Sequence, residues 1–200
     1  MPGAVASGFY GKLPARGDFV RAGLPRDFTD PWDLWLSGVM AASREAAGDA
    51  WLPAFLEAPV WRFVLPAGLC GTRAAVGLML PSVDRVGRYF PLTFAALFQG
   101  GAPAGFEGGS PAGLEGGSLA GTGAWLDRYE DAGRAALERD LEPDEVMAML
   151  DTPAPDGAGV SVGVSEWWTE GSPRLQPTRM ALRSLPDAAA YAGMLGLAVA

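Results

Sequence analysis

Apolar residues recur along the chain at helical spacing in some stretches and as short runs between Gly and Pro in others. Asp30-Pro31-Trp32-Asp33 reads as a helix start, with Asp as N-cap, Pro in the first position and an acid in the first turn. Trp32, Trp35, Leu36, Val39 and Met40 then share one face, and Gly48 is the natural stop. A shorter helix is expected over 51–58. Apolar, branched and aromatic runs predict strands at 60–65, 73–80 and 90–98, preceded by a strand at 8–13 and a turn-rich segment to Asp27. Further on, Trp125, Tyr129, Ala132, Ala136 and Leu141 mark one side of a helix over 124–140 whose other side is acidic. Pro143-Asp144-Glu145 opens a short helix through Leu150. Strands at 159–167 and 179–183 and a helix at 186–197 complete the series. The expected fold is α/β: a sandwich with a central, largely antiparallel sheet flanked by helices, in one domain over 1–200.

Composition modifies this picture in one place. The 200 residues include 28 Gly and 17 Pro, and ten of those Gly lie in 100–123. There Ala-Gly-Phe-Glu-Gly-Gly-Ser-Pro is followed by Ala-Gly-Leu-Glu-Gly-Gly-Ser-Leu, a repeat too short for a solenoid. It reads as a duplicated, flexible surface loop.

Charge and residue types exclude several functions. Net charge is −8, which argues against nucleic acid or an anionic membrane as the main partner. Residues 1–99 carry nine basic and eight acidic groups, residues 100–200 six and fifteen. No stretch has the charge and length of a secretion signal or a membrane span, so a cytoplasmic location without membrane insertion is expected. The chain has no His, which removes the usual general base and the usual metal ligand. The single Cys70 sits among apolar residues and is expected to be a buried thiol. No catalytic residue, metal or cofactor is expected.

Motif spellings sharpen the exclusions. Gly159-Val-Ser161-Val-Gly163 has the spelling of a nucleophile elbow, but no histidine exists to activate the serine and the pattern continues as a strand. Neither a Walker A loop nor a dinucleotide fingerprint is present. Two segments exceed what turns require. Residues 8–20 gather Lys12, Arg16 and Asp18 around glycines, and residues 81–91 carry Ser82, Asp84, Arg85 and Arg88 between two strands. These groups either tie down their own backbone or form a recognition surface, because fixed guanidiniums suit carboxylates and phosphates. Trp167-Trp168 must point to opposite faces of a strand, so each needs its own covering layer.

Taken in order, 8–20, Leu24-Pro25, Phe28, 32–36, 81–92, 167–172 and Leu185-Pro186-Asp187 resemble the TagF (ImpM) family, accessory proteins of bacterial type VI secretion. The resemblance implies an α/β sandwich of longin-like kind. It also implies post-translational repression of secretion through the system's forkhead-associated scaffold protein. Some relatives carry a fused metal-dependent phosphatase; no ordered set of metal-binding carboxylates for that domain occurs here, so such activity is expected from another polypeptide. The positions matching the family's motifs are Lys12, Arg16, Asp18, Ser82, Asp84, Arg85, Arg88 and Trp168, and they are expected to form a binding surface. Forkhead-associated domains prefer a particular residue, often Asp, three positions after phosphothreonine. Thr29 has Trp32 there and Thr152 has Pro155, so docking through a folded surface is expected: the arginine-bearing hairpin or the acidic face of 124–145. The competing expectation is a sensor or enzyme that holds a small anion through Lys12, Arg85 and Arg88, with Asp84 or Asp18 as base.

Overall fold

The structure, a computed structural model, describes residues 4–99, 120–150 and 163–197. Seven strands form one sheet in the order β2-β1-β5-β4-β3-β6-β7. They are β1 (Ala4–Lys12), β2 (Phe19–Ala22), β3 (Trp61–Leu65), β4 (Ala74–Leu80), β5 (Leu92–Phe98), β6 (Ser165–Thr169) and β7 (Thr178–Leu182). Each neighbouring pair is antiparallel. Helices α1 (Arg26–Ala47), α2 (Trp51–Leu56) and α5 (Ala188–Met194) cover one face, and α3 (Ala120–Glu138) and α4 (Pro143–Met149) the other. The antiparallel α/β sandwich is the expected one.

Coverage on both faces explains the continuous apolar runs. All seven positions of β4 and all seven of β5 are buried, so neither strand alternates in polarity. β3 lies further out and does alternate: Trp61, Phe63 and Leu65 join the core under α1, while Val64 joins the core under α3. The adjacent tryptophans of β6 part in the same way, Trp167 into the first core and Trp168 against the second. Trp32 of α1 sits where the first core is densest, its ring centroid 4.8 Å from Phe63 and 6.1 Å from Trp167. Its Nε1 donates to Thr93 Oγ1 at 3.0 Å, which fixes the helix on the sheet by a buried polar bond.

Three expectations need correction. α1 starts at Arg26 and Pro31 lies inside it, so Asp30 is not the N-cap. Burial of Leu24 and Phe28 draws the preceding turn into the helix, with the amides of Phe28 and Thr29 donating to the Pro25 carbonyl at 3.2 and 3.1 Å. Second, the segment before Asp27 contains β2, an edge strand pairing Phe19 with Lys12 and Ala22 with Phe9. Third, α5 is shorter than expected and begins at Ala188, capped by Asp187, whose Oδ1 accepts from the Ala190 amide at 2.8 Å. Besides these, the last four residues of the expected loop, 120–123, form the first turn of α3; residues 100–119 and the Ser161 elbow spelling lie outside the described residues.

The sheet has two poles. β1 ends at Lys12 where β5 begins, and β5 ends at Phe98 beside Ala4, the start of β1. The first pole holds the β1–β2 turn and the connection between β4 and β5.

Candidate functional site

The connection between the adjacent strands β4 and β5 runs over residues 81–91, and β5 has β1 as its other neighbour. That path brings it onto the β1–β2 turn, and the two loops interlock. Ser82 Oγ donates to the Lys12 carbonyl at 2.7 Å, and the Arg85 amide donates to the Arg16 carbonyl at 2.9 Å. Gly11 makes the close approach possible: its φ is 142°, and a β-carbon there would lie 2.2 Å from the Pro91 carbonyl oxygen. Gly87, with φ 84°, closes the tight turn from Asp84 to Arg88.

Asp84 is the hub of this pole. Its Oδ1 accepts from the amides of Val86 and Arg88 at 3.0 and 2.9 Å. Its Oδ2 accepts from Lys12 Nζ and Arg88 Nε, both at 2.7 Å. A carboxylate has about four acceptor positions, so Asp84 is saturated. Burial alone pushes its carboxyl pKa up; the Lys12 ammonium, the two amides and the Arg88 guanidinium outweigh that and hold it well below the usual carboxylate range. Lys12 is buried too, its ammonium 4.2 Å from the ring centre of Phe19. Arg88 spans the gap between the loops by also donating through its terminal nitrogen to the Gly17 carbonyl.

Around this buried pair the surface is cationic and partly apolar. Arg16, Arg85 and Arg88 are exposed, as are Phe19 and Val86. Arg16 pairs with Glu142 at 2.7 Å, tying the start of α4 to the turn. Both partners are about half exposed, so the pair contributes under about 1 kcal/mol. Asp18 is exposed and turned onto its own turn, Oδ1 accepting from the Phe19 amide at 2.8 Å. An aromatic group supports Phe19 from behind, with Phe90 at 4.8 Å and Tyr10 at 5.7 Å between ring centres. Tyr10 in turn donates to Asp33 Oδ1 at 2.6 Å, anchoring the strand to α1.

Six of the eight sequence-predicted residues therefore meet: Lys12, Arg16, Ser82, Asp84, Arg85 and Arg88, with Asp18 on the adjoining turn. Trp168 does not join them. It sits on β6, four strand spacings from β1, or about 19 Å away. There it packs on the α3 side, with the Arg179 guanidinium 5.6 Å from its ring centre. Sequence reading missed Phe19 and Val86, whose only signal was an apolar residue inside a polar turn. It also missed that Arg62 from β3 reaches Asp127 at 2.7 Å and Glu130 at 3.0 Å, which neutralises part of the acidic face.

The arrangement is poor in free acid–base groups. Asp84 has no acceptor position left for a substrate proton, and Lys12 is closed off beneath Phe19. Among the described residues, no group of three or more His, Cys, Asp or Glu is placed to hold a metal. A cavity of ≈ 20 Å³ beneath α5, lined by Phe55, Trp61, Met79, Tyr191 and Met194, has room for about one water molecule. No helix among the described residues is long and apolar enough to cross a membrane.

An antiparallel α/β sandwich with two interlocked polar loops at one pole defines the class. Residues 8–152 match the TagF N-terminal domain, described as type VI secretion system-associated. The crystal structure of PA0076 from Pseudomonas aeruginosa PAO1 is similar at a TM-score of 0.80 and 38% identity, over 94% of this chain and 93% of that one. No curated protein matches. The chain belongs to the TagF family. The family match ends before β6, yet β6, β7 and α5 complete the same sheet and core, and the likeness to PA0076 extends across them.

Proposed function

We propose that the chain is a non-catalytic accessory protein of bacterial type VI secretion that represses secretion after translation by binding the system's forkhead-associated scaffold protein in the cytoplasm. The observation that carries the binding role is the interlocked loop pair, in which a buried Lys–Asp pair holds the exposed Arg88 in place on the loop that also presents Arg85. Rigidly held guanidiniums lose little entropy on contact, which suits recognition. Family membership supplies the association with type VI secretion. The reading needs neither cofactor nor metal, and neither nucleic acid nor membrane as partner. A small-anion enzyme draws no support from Asp84, whose acceptor positions are filled.

The test is co-purification with the forkhead-associated protein of the same secretion system, paired with secretion measured in cells that over-produce the chain. Stable association and reduced secretion are expected. No association at micromolar concentrations, or association with secretion unchanged, overturns the binding or the repressor half of the proposal respectively.

A further inference from the structure

The tip of the two loops has a finer geometry, and its interpretation rests on the binding role just proposed. Arg88 is committed to Asp84 and the Gly17 carbonyl, whereas Arg85 has no ion-pair partner among the described residues. A terminal nitrogen of Arg85 and Cγ1 of Val86 both converge on Gly17: a β-carbon built there would lie 4.0 Å from the first and 3.9 Å from the second. Gly17 thus floors a shallow cradle walled by one free guanidinium, one locked guanidinium and a valine. Val86 is 64% exposed, and Phe19, two residues after Gly17 in the β1–β2 segment, is 42% exposed.

We infer that this cradle receives an acidic side chain of a partner protein, with an apolar neighbour of that side chain lying on Val86 and Phe19. Three features select this occupant. A carboxylate matches the planar donor fork of arginine; of the nearby acids Asp84 is buried and saturated and Glu142 is engaged by Arg16, while Asp18 turns one oxygen onto the Phe19 amide. A free inorganic anion leaves two exposed apolar side chains uncovered, whereas a polypeptide covers both. A polyanion such as nucleic acid or an acidic membrane meets a chain of net charge −8. The buried residues Lys12, Ser82 and Asp84 are positioning residues, and Arg85, Val86 and Gly17 make the contact.

The probe is a blocked Glu-Leu-Asp-Leu peptide titrated into the full chain and followed by amide chemical shifts. Shifts at Gly17, Arg85, Val86 and Arg88 are expected, with affinity reduced at least tenfold in Arg85→Glu. Gly17→Glu is expected to lose binding as well, because its own carboxylate occupies the cradle; the backbone there tolerates a side chain, since nothing lies closer than 3.9 Å. Arg139→Glu, the same charge change in the exposed turn just after α3, is the control that keeps binding. All variants should retain the wild-type melting temperature.

Absence of peptide shifts at millimolar concentration overturns the inference. So does a response to inorganic phosphate at the same amides without one to the peptide, which makes the cradle a free-anion site. A wild-type dimer that Arg85→Glu dissociates overturns it too, since a second copy is then the occupant. Because the peptide arm does not use the scaffold protein, the two readings fail separately. Scaffold binding without peptide binding removes the cradle alone, and peptide binding without scaffold binding removes the proposed partner alone.

Discussion

Replacing Lys12 by Met keeps most of the side chain's volume and removes the ammonium from beneath Phe19. Asp84 would then keep Arg88 and two amides but lose its one buried cation, with its side chain fully shielded from water. Breaking a buried pair from one side costs about 3–5 kcal/mol, because the remaining charge is left poorly compensated. At about 2–4 °C per kcal/mol for a chain of this size, melting should fall by roughly 6–20 °C. The pH dependence gives the sharper test. Asp84 has a depressed folded-state pKa, so its contribution is fully present above the unfolded value of about 4 and is lost as pH falls through the lower folded value. In Lys12→Met the folded-state pKa moves up, so Asp84 protonates first in the variant. The stability gap between wild type and variant should therefore be widest at neutral pH. On acidification past pH about 4 it should narrow, by at most about 1.4 kcal/mol per pH unit. Urea unfolding at several pH values measures it. A gap under about 1 kcal/mol, or one equally wide at pH 7 and pH 3, refutes the role given to the pair.

Two further perturbations separate essential from incidental features of the same pole. Gly11→Ala forces a β-carbon to 2.2 Å from the Pro91 carbonyl in a backbone conformation that alanine avoids, so destabilisation of several kcal/mol or failure to fold is expected, read by yield and thermal melting. Arg16→Ala removes one side of a half-exposed pair and should change stability by under about 1 kcal/mol in urea titration, whereas Glu142→Ala also removes the N-cap of α4 and should cost more, about 0.5–2 kcal/mol.

Legibility in the sequence followed the range over which each feature is decided. β4 and β5 were readable because burial on both faces turns them into unbroken apolar runs. α1 was readable as a helix from the spacing of Trp32, Leu36, Val39 and Met40, but its start was not. Asp30-Pro31 carries a local capping signal, while burial of Leu24 and Phe28 depends on strands far along the chain. β2 escaped notice for a related reason: four residues with alternating exposure acquire strand geometry only by pairing with β1. The candidate site was half legible. Lys12 and Asp84 stood out as charged residues in two glycine-bearing turns, but their contact is set by sheet order, with β5 between their strands. The same order carried Trp168 away from them. No local pattern distinguishes an exposed arginine from the buried carboxylate beside it that holds the loop in place, and Arg85 and Asp84 are chain neighbours of those two kinds.

The two poles of the sheet also divide the chain's freedom to evolve. The period-eight duplication follows β5 in sequence, and β5 ends at Phe98 beside Ala4, about 23 Å along the strand from Lys12. Tandem copies are gained and lost by slippage during replication, a whole unit at a time. The strand that precedes the repeat in sequence ends at the pole remote from the interlocked loops. Removing one eight-residue copy should therefore leave the Lys12–Asp84 pair intact, read as an unchanged melting temperature.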